Sequence, residues 1–301
     1  MSTGSGRRPI PAAAPDPAAA GTATAPDYTP AVPAEQIAQN LAYINWTVLT
    51  GVAVGSMWAA ALGRLTTQAT KGYLGFVALS ASLVAVLAAL SDGALPGPAS
   101  SWDLPRGLGL WLEAAVALAF AIAVFRDGTA RWLAIGGSAI GGVVLLAGAL
   151  SWGGTVIGSA LLLVQLAILA AATGGVWAAM ILGHWYLVTP KLPEAPLVRF
   201  SRLLTGVVAI QLVLFAVWVA LGAGPAGVPG FGALVGSWAL FVWLRLIVGL
   251  AMPLVVTWAA IQTARTRSME SATGLLYIDV GLIASGTILA AGLYFGAGLL
   301  V

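Results

Sequence analysis

Eight long apolar stretches, separated by short polar connectors, run along the chain from residue 38 to residue 300. They cover roughly 38–63, 72–91, 107–125, 132–152, 156–186, 199–222, 233–263 and 272–300. Each approaches or exceeds the about 20 apolar residues a helix needs to cross the hydrocarbon core of a bilayer. None shows the strict alternation of a half-buried strand. The fifth and seventh stretches are the longest. Each is still too short for two crossings and a loop, so each predicts one long or tilted helix. Pro253, in the last third of the seventh, marks a place where that helix can kink. The pattern predicts an all-α integral membrane protein, a polytopic bundle of about eight transmembrane helices arranged as four hairpins.

Residues 1–34 follow another pattern. They are rich in Pro, Ala, Gly and Thr and have almost no large apolar residues. Such a segment cannot bury a core, so 1–34 is expected to be a disordered tail and 35–301 the transmembrane domain. Arg7-Arg8 is not followed by an apolar signal segment, and Pro9, Pro11 and Pro15 break the stretch.

Charge then sets an orientation. The first, third, fifth and seventh connectors hold Arg64, Lys71, Arg126, Arg131, Lys191, Arg199, Arg202, Arg265 and Arg267. The second holds Arg106 against Asp92 and Asp103, and the fourth and sixth hold no basic residue. Excess Lys and Arg mark cytoplasmic loops, which predicts a cell membrane or cell inner membrane protein with N- and C-termini extracytoplasmic.

Composition narrows the classes. The chain is 60% hydrophobic and 8% charged, against the about 25% charged residues of a soluble domain. Its net charge of +3 reports orientation and not nucleic-acid binding. The expected partners are the lipid bilayer and other membrane subunits. Without cysteine, the chain itself can form no disulfide, thiol redox centre or thiolate-ligated metal site. No Walker motif, HExxH, GxSxG or paired-carboxylate motif occurs, so no catalytic residue and no metal ligand set are assigned.

The candidate chemistry lies in polar residues within the spans. Arg245 sits deep in the seventh stretch, and a guanidinium there needs protein or water around it. Counted from residue 233 it lies about 18 Å in, and Asp279, counted from residue 272, lies about 10 Å from the other side. The depths match, so Arg245 and Asp279 are expected to form an intramembrane ion pair, either handling protons or locking the last hairpin. Glu113 is a candidate proton or ligand site, shallow enough by the same count to reach headgroup water. His184, the only histidine, is a second such candidate at the inner end of the fifth helix. One histidine excludes bis-His haem within this chain. Asn45, Gln165 and Gln211 are expected to hydrogen-bond between helices. Pro190 to Arg202, with Leu192, Leu197 and Phe200 among charges, is expected to lie along the inner interface.

Three functions fit this reading. The first is a non-catalytic membrane subunit of a respiratory or electron-transfer complex that handles quinone or protons, with quinone as the candidate cofactor. The second is a proton-coupled secondary transporter using the Arg245–Asp279 pair. The third is a structural membrane anchor. The scarcity of midplane polar residues and of helix breaks argues against a carrier, whose sites use discontinuous helices.

Overall fold

The computed structural model describes residues 32–301 apart from 68, 98, 99, 127, 129, 190, 191 and 193. Of the expected disordered tail, residues 1–31 lie outside the described residues. Pro33 and Ala34, assigned to that tail from sequence, open a short helix, α1 (Pro33–Gln39).

Helices follow one another along the described chain, with no strand among the described residues. They are α2 (Leu41–Thr66), α3 (Lys71–Asp92), α4 (Asp103–Phe125), α5 (Arg131–Trp152), α6 (Val156–Val188) and α7 (Ala195–Leu221). The seventh span is made of α8 (Ala239–Leu246), a π-helical segment at Ile247–Ala251 and α9 (Met252–Arg265), and α10 (Met269–Ala297) is the last. Among the described residues, eight helical spans are long and apolar enough to cross a membrane. The protein is a multi-pass helical membrane protein.

Local chemistry sets the ends. The Thr155 hydroxyl accepts the Gly158 amide at 3.0 Å and opens α6, and Thr70 does the same for α3 through the Tyr73 amide. Gly222 (φ 62°) and Gly298 (φ 65°) close α7 and α10 in the left-handed conformation that a Cβ disfavours. At the end of α2, Arg199 Nη1 donates to the Thr66 carbonyl at 2.6 Å, placing a cation on the negative pole of that helix.

The interior is built from small side chains. α2 lies at its centre and packs on α3, α5, α6 and α10. At the α2–α6 crossing, Gly55 and Gly174 bring the two backbones together. A Cβ added at Gly55 would lie 1.8 Å from the Ala170 carbonyl oxygen, and one at Gly174 would lie 2.1 Å from the Gly55 carbonyl carbon. Close backbone approach through glycine is how apolar helices gain dispersion contact when lipid offers no hydrophobic drive. Large apolar residues point outward instead, among them Leu83, Leu87 and Leu90 on α3 and Val213 and Val217 on α7. A bilayer would cover these faces.

Three of the differences from the sequence reading matter for chemistry. α4 starts at Asp103, four residues before the predicted 107. α8 starts at Ala239, because residues 232–234 form a 3₁₀ turn with Phe231 held at φ 62° before it. Of the segment 190–202 expected along the inner interface, residues 190, 191 and 193 lie outside the described residues, and the described part from residue 195 onward is helical. Ala195 opens α7, and Leu197 and Phe200 turn into the core.

Candidate functional site

The helix break at the seventh span builds the first polar centre. Pro253 has no N–H, so the Gly249 carbonyl four residues before it lacks its α-helical donor. Nearby the ladder widens, and the Met252 amide reaches back to the Ile247 carbonyl. Arg245 Nη1 donates to the Gly249 carbonyl at 3.2 Å. The guanidinium thus caps an acceptor that the proline frees. Its Nη2 donates to Gln211 Oε1 at 2.6 Å, and Gln211 Nε2 donates to the Ile168 carbonyl at 3.2 Å. Arg245, 2% exposed, is therefore tied to α6 and α7 through one glutamine. Its Nε finds no hydrogen-bond partner among the described residues.

The expected Arg245–Asp279 ion pair is not made. Arg245 Nη1 sits against Gly286, where a Cβ would approach it to 2.8 Å. Gly286 is seven residues beyond Asp279, about 10 Å along α10. The register was wrong because α8 starts at Ala239. Arg245 is six residues into the helix, about 9 Å, and Asp279 is ten residues into α10, about 15 Å. Asp279 is fully buried between Leu276 and Ile283 on the inward face of α10, and neither carboxyl oxygen has a hydrogen-bond partner among the described residues. A double-mutant cycle on detergent-solubilised stability should give a coupling near zero for Arg245 with Asp279. The same cycle for Arg245 with Gln211 should give about 1.5–3 kcal/mol, the range of a hydrogen bond to a charged group. Strong coupling at 279 would contradict this geometry.

Glu113 also departs from expectation. The earlier start of α4 puts it ten residues, about 15 Å, from the helix end. It does not reach a polar surface. Its exposure is 0%, and among the described residues neither oxygen makes a hydrogen bond of normal geometry. The carboxyl group faces the backbone of Gly141 on α5.

His184 is exposed on α6, with Nδ1 3.4 Å from the Tyr277 hydroxyl of α10. The two polar tips border a groove of about 440 Å³ lined otherwise by Phe76, Trp177, Met180, Ile181, Trp185 and Val188. Residues from α3, α6 and α10 form its walls. It lies at the bundle end that carries most basic residues.

Of the interhelical amides, Asn45 Nδ2 donates to Ser91 Oγ at 3.0 Å and joins α2 to α3. Gln211 joins three helices as described. Gln165 does not fulfil the expectation: it is 2% exposed, and neither amide atom has a hydrogen-bond partner among the described residues.

One centre escaped the sequence reading. Arg106 was counted as a connector charge, yet it is 3% exposed. Its Nε donates to Asp92 Oδ1 at 2.5 Å, and Nη1 donates to Asp103 Oδ1 at 2.8 Å and Ser151 Oγ at 2.9 Å. The guanidinium carbon lies 4.8 Å from the centre of a Trp152 ring. These groups, with Tyr43, line a cavity of about 400 Å³ at the basic-poor end. The balance of one arginine between two aspartates in a single connector was the available signal.

The sequence matches no protein-family model and no curated protein.

Proposed function

We propose that the chain is a quinone-handling membrane subunit of an electron-transfer complex, without catalytic activity of its own. The observation that carries this reading is the groove at His184 and Tyr277. A quinone has a flat ring that suits aromatic walls and carbonyl oxygens that accept hydrogen bonds. An apolar groove with a few convergent polar groups is the usual form of a small-molecule site. Here Phe76, Trp177 and Trp185 offer the walls. The Tyr277 hydroxyl and an imidazole N–H of His184 offer donors at one edge. Electrons would come from a partner subunit, since this chain has a single histidine and no cysteine to hold a haem pair or an iron–sulfur cluster.

Titrating the purified full chain with a short-chain quinone tests the proposal, because bound quinone quenches nearby tryptophan. Saturable quenching is expected. His184→Ala with Tyr277→Phe should weaken binding about tenfold or more, the loss of two ordinary hydrogen bonds. Absence of saturation, or affinity indifferent to both changes, would overturn it.

A proton-coupled carrier is the second reading, and the broken seventh span favours it. Carrier sites gather where helices are discontinuous. The π-helical segment beside Arg245 is such a place, although Arg245 works there with Gln211 and not with Asp279.

A further inference from the structure

Glu113 takes no part in the quinone reading. It lies where α2, α4 and α5 converge. Val54 of α2 packs against Gly141 of α5, the residue whose backbone the carboxyl group faces. Ala53, Ala85 and Ala114 form a small apolar cluster beside it. The surroundings bear on what a lone carboxyl group can bind. A hard divalent cation takes about six or more oxygen ligands. No group of three His, Asp or Glu residues gathers anywhere among the described residues. A proton needs one oxygen only.

Arg106 lies seven residues before Glu113 on the same face of α4, about 10 Å away along the axis. It forms part of the wall of the polar cavity at the basic-poor end. Between them on that face stands Leu110, 0% exposed, and Val144 closes against Gly109. We propose that Glu113 is an occluded proton-exchange site, loaded from the polar cavity with Leu110 as the barrier. The exchange breaks an O–H bond on a hydrated proton in the cavity and forms one at a Glu113 carboxylate oxygen, leaving water. Return reverses it.

The charged and titratable groups on the packed elements are few. Tyr43 of α2, Asp92 of α3 and Asp103 and Arg106 of α4 lie at the cavity end. Arg64 of α2, Lys71 and Tyr73 of α3 and Arg131 of α5 lie at the opposite end of their helices.

Carbodiimides add to a carboxylic acid and not to its carboxylate, so labelling reports a protonated carboxyl. The full chain in liposomes would be treated with dicyclohexylcarbodiimide across a pH series and mapped by peptide mass. Modification at Glu113 is expected, with a yield that falls as pH rises, and Glu113→Gln should lose that labelled peptide. A membrane-impermeant carbodiimide added from the cavity side should label wild type slowly. Leu110→Ala should speed that labelling about tenfold, as a barrier lowered by one side chain would. Leu110→Val serves if the alanine variant does not fold. No modification of wild-type Glu113, a yield indifferent to pH, or equal impermeant labelling with and without the Leu110 change would overturn the proposal.

Discussion

Arg106→Leu should lower the stability of the detergent-solubilised protein by about 3–5 kcal/mol, the cost of leaving a buried charge without its partner. The charge left behind is Asp92, whose side chain is 7% exposed and whose Oδ1 accepts Arg106 Nε at 2.5 Å. Asp103 suffers less, because its side chain is 40% exposed and its Oδ2 keeps the Ser100 amide at 2.7 Å. The change also removes the guanidinium from Trp152 and its bond to Ser151, so α3, α4 and α5 lose a common tie at one end of the bundle. Arg106→Leu with Asp92→Asn should recover much of the loss, since no unpaired charge then remains. Thermal unfolding of the four proteins in one cycle decides it. A single variant as stable as wild type, or a double variant as poor as the sum of its parts, would show that the bridge does not hold the connector.

Gly55→Val should cost about 3 kcal/mol or more, at the upper end of the overpacking range. The obstruction is backbone. An added Cβ meets the Ala170 carbonyl oxygen at 1.8 Å and its carbon at 2.7 Å, and no side-chain rotation clears either. α2 and α6 would have to part, and α2 also carries the contacts to α3, α5 and α10. Gly142 gives the contrast: a Cβ there meets nothing within 4 Å. Gly142→Ala should be neutral or stabilising by up to about 1 kcal/mol, the ordinary gain of alanine over glycine in a helix. Folded yield and thermal midpoint of both variants test the pair of expectations. Tolerance at 55 equal to that at 142 would mean the two helices are not in backbone contact.

The number of crossings and their all-helical nature were legible in the sequence, because a bilayer admits only fully hydrogen-bonded segments of a minimum apolar length. Gly51 stands four residues before Gly55, a GxxxG spacing that puts both glycines on the helix face that meets Ala170. The buried status of Arg245 was legible too, because a guanidinium in a long apolar run has nowhere else to go.

Helix ends were not legible to within a turn, and each end sets a depth. Moving the start of the seventh span from 233 to 239 shifted Arg245 by about 9 Å and took it from Asp279 to Gly286 and Gln211. Moving the start of α4 from 107 to 103 took Glu113 from the edge to the interior. Apolarity alone could not place those ends, because Ala233, Leu234 and Val235 are as apolar as the helix that follows them. Gln211 read as one amide among several, and Arg106 as a loop charge. What distinguishes them is which side chains meet across three helices, and that is set by helix rotation and register. By itself the sequence determined that this chain must span a membrane and hide its few charges. Only the tertiary structure decided their partners: Gln211 and a proline-freed carbonyl for Arg245, two aspartates for Arg106, and, among the described residues, no hydrogen bond of normal geometry for Glu113 or Asp279. Solvation acts on each residue where it stands in the chain, whereas partnership depends on positions far apart in sequence that packing alone brings together.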